Sequence, residues 1–108
     1  MLFRFLNANV LLTNLACSSN PLTALDLSFN INLTHLEFVG TQFSSLDLSA
    51  NVNLIHLVGF YSDLTSLDVS NCPLIQHVRV YESQIASINV TGCTALNYLN
   101  IEIGRAHV

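Results

Sequence analysis

Three histidines stand twenty-one residues apart, His35, His56 and His77, and each is followed by a leucine or valine, as in "LTHLEFVG" and "LIHLVGFY". Imidazoles recurring on one face could ligate a metal or titrate near neutral pH. Three aspartates, Asp26, Asp47 and Asp68, recur at the same interval. Carboxylates stacked in this way could share a calcium ion. Cys72 and Cys93 are again twenty-one apart, and a disulfide could join them if their Cα atoms came within roughly 4.4–6.8 Å. Which of these chemistries applies depends on what returns a residue every twenty-one positions.

Written in rows of twenty-one, the chain falls into five registers, 1–21, 22–42, 43–63, 64–84 and 85–101, without an insertion. The first column reads Met1, Leu22, Phe43, Leu64, Ile85. The sixth reads Leu6, Leu27, Leu48, Val69, Val90, and the twelfth Leu12, Leu33, Leu54, Ile75, Leu96. The fifteenth is Leu15, Leu36, Leu57, Val78, Leu99, and the seventeenth Cys17, Phe38, Gly59, Val80, Ile101. The fourth is apolar from Leu25 to Ile88, although it begins with Arg4. No row could bury its apolar columns alone, so each must stack on the next and share a core.

The ninth column is Asn9, Asn30, Asn51, Cys72, Cys93. Asparagine there can bond backbone groups inside a turn, and cysteine can replace it as a small buried residue. The segments "LTALDLSFN", "FSSLDLSAN" and "LTSLDVSNC" resemble the leucine-rich repeat L-x-x-L-x-L-x-x-N/C. A second copy lies in the other half of each row, best seen as "LTNLACSSNPL" from Leu12 to Leu22. The double pattern is similar to the short leucine-rich repeats of bacterial surface and secreted proteins, over Leu6 to Ile101. That resemblance implies a leucine-rich-repeat solenoid, mostly β and turn, with one short parallel strand per coil and little or no helix. It also implies a protein-interaction module, extracellular or at the cell surface. At the matching corner of the second half, Asn20 gives way to Thr41, Ser62 and Ser83, so hydrogen bonding is expected to be weaker there.

Residues beside the inward leucines of a strand point outward. In the D-L-S half those positions hardly change: Asp26, Asp47, Asp68, Asn89, then Ser28, Ser49, Ser70, Thr91. In the other half they vary: Ala16, Glu37, Val58, Arg79, Asn100, then Ser18, Val39, Phe60, Tyr81. Uniform columns suit a scaffold and varied ones suit recognition. The main sheet is therefore expected at about 14–18, 35–39, 56–60, 77–81 and 98–101. The D-L-S half is expected to be extended or tightly turned, because twenty-one residues leave little room for a helix.

The repeating chemistry can now be placed. His35, His56 and His77, continued by Tyr98, should form one outward ladder, with strands roughly 4.8 Å apart and rings stacked edge over edge. A straight column offers at most two nitrogens to one ion, and Glu37 is the only outward acid beside it, so no metal site is expected. Protonating three neighbouring imidazoles would create repulsion, which makes the ladder a candidate pH-sensitive patch. The Asp column is expected to accept bonds from local backbone N–H groups or the neighbouring serine. Cys72 and Cys93 are expected in buried structural slots, and Cys17 in the core. With Asn9, Asn30, Asn51, Asp26, Asp47 and Asp68, those two cysteines form the structural ladder.

No nucleophile elbow, phosphate-binding glycine loop or zincin motif is present, so no enzymatic activity and no cofactor are expected. The binding candidates are His35, Glu37, His56, Val58, Phe60, His77, Arg79, Tyr81 and Tyr98, since aromatics and Arg anchor interfaces. The alternative is a structural spacer, or a scaffold for a catalytic or anchoring domain elsewhere, in which Phe60 over Tyr81 only stabilises the sheet. Three Lys and Arg in 108 residues, with a formal net charge of −4, exclude a nucleic-acid footprint. No apolar run reaches the roughly 18 residues of a membrane span, and no signal peptide is read in "MLFRFLNANVLL". The tail "EIGRAHV" (102–108) leaves the pattern and can be encoded by a common sequencing-adapter read, so the native repeat is expected to stop near Ile101. Neither end carries a polar cap, which makes the segment a fragment expected to self-associate end to end.

Overall fold

The computed structural model describes residues 10–18, 24–81 and 84–101; Asn9, Asn20, Ser83 and the tail lie outside them. Five strands form one parallel sheet in the order β1-β2-β3-β5-β7: β1 Asn14–Ser18, β2 His35–Val39, β3 His56–Phe60, β5 His77–Tyr81 and β7 Tyr98–Asn100. Two shorter strands, β4 Ser66–Asp68 and β6 Ser87–Asn89, pair in parallel on the opposite side. Every pairing has the same offset of twenty-one residues, as in Asn14↔His35, His35↔His56, His56↔His77, His77↔Tyr98 and Ser66↔Ser87. The chain winds as a coil that adds one strand to the main sheet per turn, and no helix occurs among the described residues. The sheet strands lie where the repeat phase puts them, and the D-L-S half is extended, as expected.

The inward columns form the core. Leu33, Leu54 and Ile75 are fully buried, as are Leu57 and Val78, and Leu36 is nearly so. Phe43, Leu64 and Ile85 close the far side, with Leu27, Leu48 and Val69 beneath the D-L-S strands. Burial falls off in several columns of the last described coil: Leu99, in the same column as buried Leu57 and Val78, is 42% exposed. A residue here gains its cover from the coils on both sides, which is the nearest-neighbour stability of a solenoid.

Two corners close each coil. After the D-L-S segment, a tight turn repeats four times: Asn30 N–H donates to Leu27 O (3.0 Å), Asn51 to Leu48 O (3.0 Å), Cys72 to Val69 O (2.9 Å) and Cys93 to Val90 O (3.0 Å). The Asn51 side chain is fully buried and its Nδ2 donates to Leu27 O (3.2 Å) and Asn30 O (3.0 Å) of the preceding coil. Cysteine performs this role with contacts that are mostly longer. Cys72 Sγ reaches Leu48 O at 3.9 Å, and Cys93 Sγ reaches Val69 O at 3.2 Å and Cys72 O at 3.8 Å. At the other corner, the Thr41 and Ser62 hydroxyls are buried without a hydrogen-bond partner among the described residues. The weaker bonding expected at that corner is what these residues show.

Gly59 occupies an inward position where neighbouring coils carry Phe38 and Val80. A Cβ on Gly59 would lie 2.3 Å from Phe38 Cε1 and 2.4 Å from Cζ, so the buried Phe38 ring fills the space that the missing side chain leaves. That ring in turn packs on Phe43, with centroids 5.2 Å apart. Gly59→Ala should therefore destabilise the chain by about 1–3 kcal/mol through overpacking, measured by urea unfolding. Adding Phe38→Leu should recover part of the loss; an unchanged midpoint for Gly59→Ala alone would show that the ring has room to move.

Candidate binding face of the parallel sheet

The outward side chains of β2, β3 and β5 fall into three columns because the strands pair with no bulge. The first is the imidazole column. His35 and His56 stack with centroids 4.5 Å apart and planes at 24°, and His56 and His77 with 4.6 Å and 13°. The rings lie face to face, which corrects the edge-over-edge expectation. Strand spacing of roughly 4.8 Å is near ring-stacking distance, so in-register rings gain contact by turning their faces together. Tyr98 continues the column less closely, at 6.2 Å and 43°. His35 Nδ1 is 2.8 Å from Thr34 Oγ1, whereas His77 Nδ1 is buried without a partner among the described residues. Burial, and then the charges of His35 and His77, lower the pKa of the central His56.

The middle column is Ala16, Glu37, Val58, Arg79 and Asn100, and the third contains Val39, Phe60 and Tyr81. Phe60 and Tyr81 stack at 4.8 Å and 29°. Arg79 lies among three rings, its guanidinium carbon 5.9 Å from the Phe60 centroid, 5.7 Å from Tyr81 and 6.0 Å from Tyr98. Its Nε and Nη2 both donate to Tyr81 Oη at 3.3 Å. The Tyr81 hydroxyl, with a smaller contribution from Tyr98, raises the Arg79 pKa, so the charge is constant over any working pH. The face therefore has two parts. Small Ala16 leaves a shallow open depression over β1–β3 with Asn14, His35, Glu37 and His56 on its lining. Over β3–β7 the rings and the guanidinium form a ridge.

Phe60 and Tyr81 are half-buried, and Tyr61 is the most exposed of the neighbouring aromatics at 65%. Tyr61 also has a φ of +52°, a left-handed conformation costing a bulky residue roughly 1–2 kcal/mol. Gly40 stands one coil earlier at the same turn with a φ of +69°. The backbone there calls for glycine, and the chain instead keeps an exposed tyrosine beside the ridge. The column alignment of Gly40 with Tyr61 was the one sequence sign of this strain.

The structural columns lie elsewhere. Asp26, Asp47 and Asp68 each accept a bond from the backbone N–H two residues on, Ser28 (3.0 Å), Ser49 (2.9 Å) and Ser70 (2.9 Å). Asn89 does the same for Thr91 (3.0 Å). These side-chain turns lower the pKa of all three carboxyls, the serine hydroxyl and N–H acting together. Cys72 is buried and Cys93 half-buried, both as free thiols. Burial, with the neighbouring Cys93, pushes the Cys72 thiol up to about 11. Among the described residues, no group of three or more His, Cys, Asp or Glu side chains could hold a metal ion.

No protein-family model and no curated protein matches the chain. Among solved structures, it is similar to the functional domain of InlJ from Listeria monocytogenes, with a TM-score of 0.61 and 24% sequence identity. The likeness covers 91% of this chain and 27% of that one, so the present chain spans about a quarter of its length. It shows the fold, a leucine-rich-repeat-type solenoid. The InlJ domain is described as including a cysteine ladder; in this chain Cys72 and Cys93 stack in the turn column that Asn30 and Asn51 fill in earlier coils.

The lowered pKa of His56 has a consequence for stability. Unfolded, the ring titrates near its ordinary value of about 6.5; folded, it titrates lower. As pH falls through that window the unfolded chain binds more protons, so stability is full above about 6.5 and declines toward the folded pKa. The melting temperature should fall between pH 7.5 and 5, and His56→Gln should flatten that slope. A slope unchanged by the substitution would assign the pH dependence to other groups.

Proposed function

We propose that this solenoid is an interaction module whose ligand, a protein or other macromolecule, binds the outward face of the five-stranded sheet. The observation that carries the reading is the ridge over β3–β7. There Arg79 is held among Phe60, Tyr81 and Tyr98, and a strained, exposed Tyr61 adjoins them. Strain persists where the surrounding fold enforces it, and such positions cluster at ligand-binding segments. His35, Glu37, His56, Val58 and His77 would border this contact. The repeat pattern and the likeness to a bacterial domain of the same fold support a bacterial setting, secreted or on the cell surface.

A spacer or scaffold remains the second reading, and the Phe60–Tyr81 stack favours it, because cross-strand aromatic pairs stabilise a sheet without any partner. The intact chain would be used to select binders from a phage-displayed library of random 12-residue peptides. Binders should be enriched, should lose at least tenfold in affinity for the Phe60→Ser/Tyr81→Ser variant, and should retain affinity for Ser45→Ala on the opposite side. No enrichment, or equal binding by all variants, would favour the spacer.

Tyr61→Gly separates the readings further. Relief of the left-handed tyrosine should raise stability by about 1 kcal/mol, read by thermal unfolding. The same change should weaken the selected binders. A module that only spaces other domains would show the gain in stability and no change in binding.

A further inference from the structure

The described charges are divided between the two sides of the coil. Of the five described carboxylates, Asp26, Asp47, Asp63 and Asp68 lie off the main sheet, and Glu37 alone stands on its outward face. The one described arginine and all three described histidines stand on that face. On β3, β5 and β7, the half that bears the ridge, His56, His77 and Arg79 are joined by no carboxylate among the described residues. Glu37 shares the Arg79 column but is two strands away, roughly 10 Å by strand spacing. Among the described residues, a chain of net charge −4 therefore carries on this ridge one fixed positive charge, Arg79, and no carboxylate.

Resting on the sheet-face reading above, we infer that the ridge takes an acidic segment of a partner protein, with a partner Asp or Glu carboxylate on the Arg79 guanidinium and apolar side chains against Phe60, Tyr61 and Tyr81. The guanidinium is prepared for that contact. Its Nε/Nη2 edge rests on Tyr81 Oη with three rings within 6.0 Å of the guanidinium carbon, contacts that favour one orientation before binding. A planar fork receives a carboxylate through its remaining edge with charge-assisted bonds. The facing surfaces of Phe60 and Tyr81 are closed by their own stack at 4.8 Å, so no sugar ring lies between them. Glu37, at the edge of the depression, would repel an acidic partner that extended toward β1 and so limits the footprint to β3–β7.

The test is an NMR titration of the isotopically labelled intact chain. Its probes are three unstructured 12-residue peptides with equal tyrosine content, carrying Glu, Gln or Lys at the remaining positions, and a heparin oligosaccharide. The Glu peptide should shift resonances of β3, β5 and β7, bind at least fivefold more tightly than the Gln peptide, and weaken as salt is raised. Arg79→Gln, on an exposed side chain whose loss leaves the core intact, should abolish the preference for Glu over Gln. Arg79→Lys should restore part of it, and Glu37→Gln should strengthen the Glu peptide about twofold. Equal shifts on the sheet from all three peptides would leave the binding face standing and overturn the acidic preference. Tighter binding of the Lys peptide, or of heparin over the Glu peptide, would overturn it in favour of a basic or polysaccharide ligand. Shifts confined to the opposite side, or none with any probe, would remove the sheet-face reading and this inference together.

Discussion

The fold depends on one contact that each coil makes with the coil before it. Asn51 places its amide nitrogen on Leu27 O and Asn30 O, adding a second bond to two carbonyls that already accept the N–H groups of Asn30 and Leu33, each such bond contributing about 0.5–1.5 kcal/mol. Because the two acceptors belong to the preceding coil, the bond closes a turn and fixes an offset in the same act. An offset of twenty-one residues then propagates through every parallel pairing. Outward residues of the same column are brought to strand spacing as a consequence, and the imidazole stack and the aromatic ridge exist only because that offset never slips.

The contact weakens along the chain. Sulfur replaces the amide at Cys72 and Cys93, and most of the Sγ to carbonyl distances lengthen to 3.8–3.9 Å, where a thiol is a weak donor. A thiol pushed up to about 11 stays protonated at neutral pH, which keeps the donor in place and leaves little thiolate to form a disulfide. At the opposite corner Thr41 and Ser62 bury hydroxyls with no bond at all among the described residues. The apolar columns hold the coils together there. One corner carries the register and the other tolerates a small polar residue because its neighbours are already fixed.

The period was legible because each column is sampled once per coil, and a residue type that returns in phase is hard to obtain by accident. Strand positions, the inward leucines and the extended D-L-S segments follow from it directly. The aspartates could be read as well, since an Asp two residues before a Ser in each coil describes a side-chain turn. What the columns did not reveal are features that occur once. Gly59 reads as a gap in an apolar column until the Phe38 ring is seen to occupy its place. Tyr61 reads as one more exposed aromatic until its φ of +52° is compared with Gly40. The imidazoles were assigned to the right column in the wrong attitude, because ring orientation is chosen by contacts of a few ångströms that no spacing in a sequence encodes.

The same distinction bears on how charge should be read. Three of the carboxylates that make the chain acidic are held by backbone N–H groups at successive turns, and Asn89 performs that task without a charge. Their acidity is thus a by-product of turn chemistry and says little about a partner. On the sheet face no outward side chain is required by the coil: the middle column alone holds Ala16, Glu37, Val58, Arg79 and Asn100, and all five are compatible with the same strand. A charge that the fold does not require is the one that can be selected for contact. Net charge, which suggests an acidic protein indifferent to anions, is therefore a poorer guide here than the position of a single arginine.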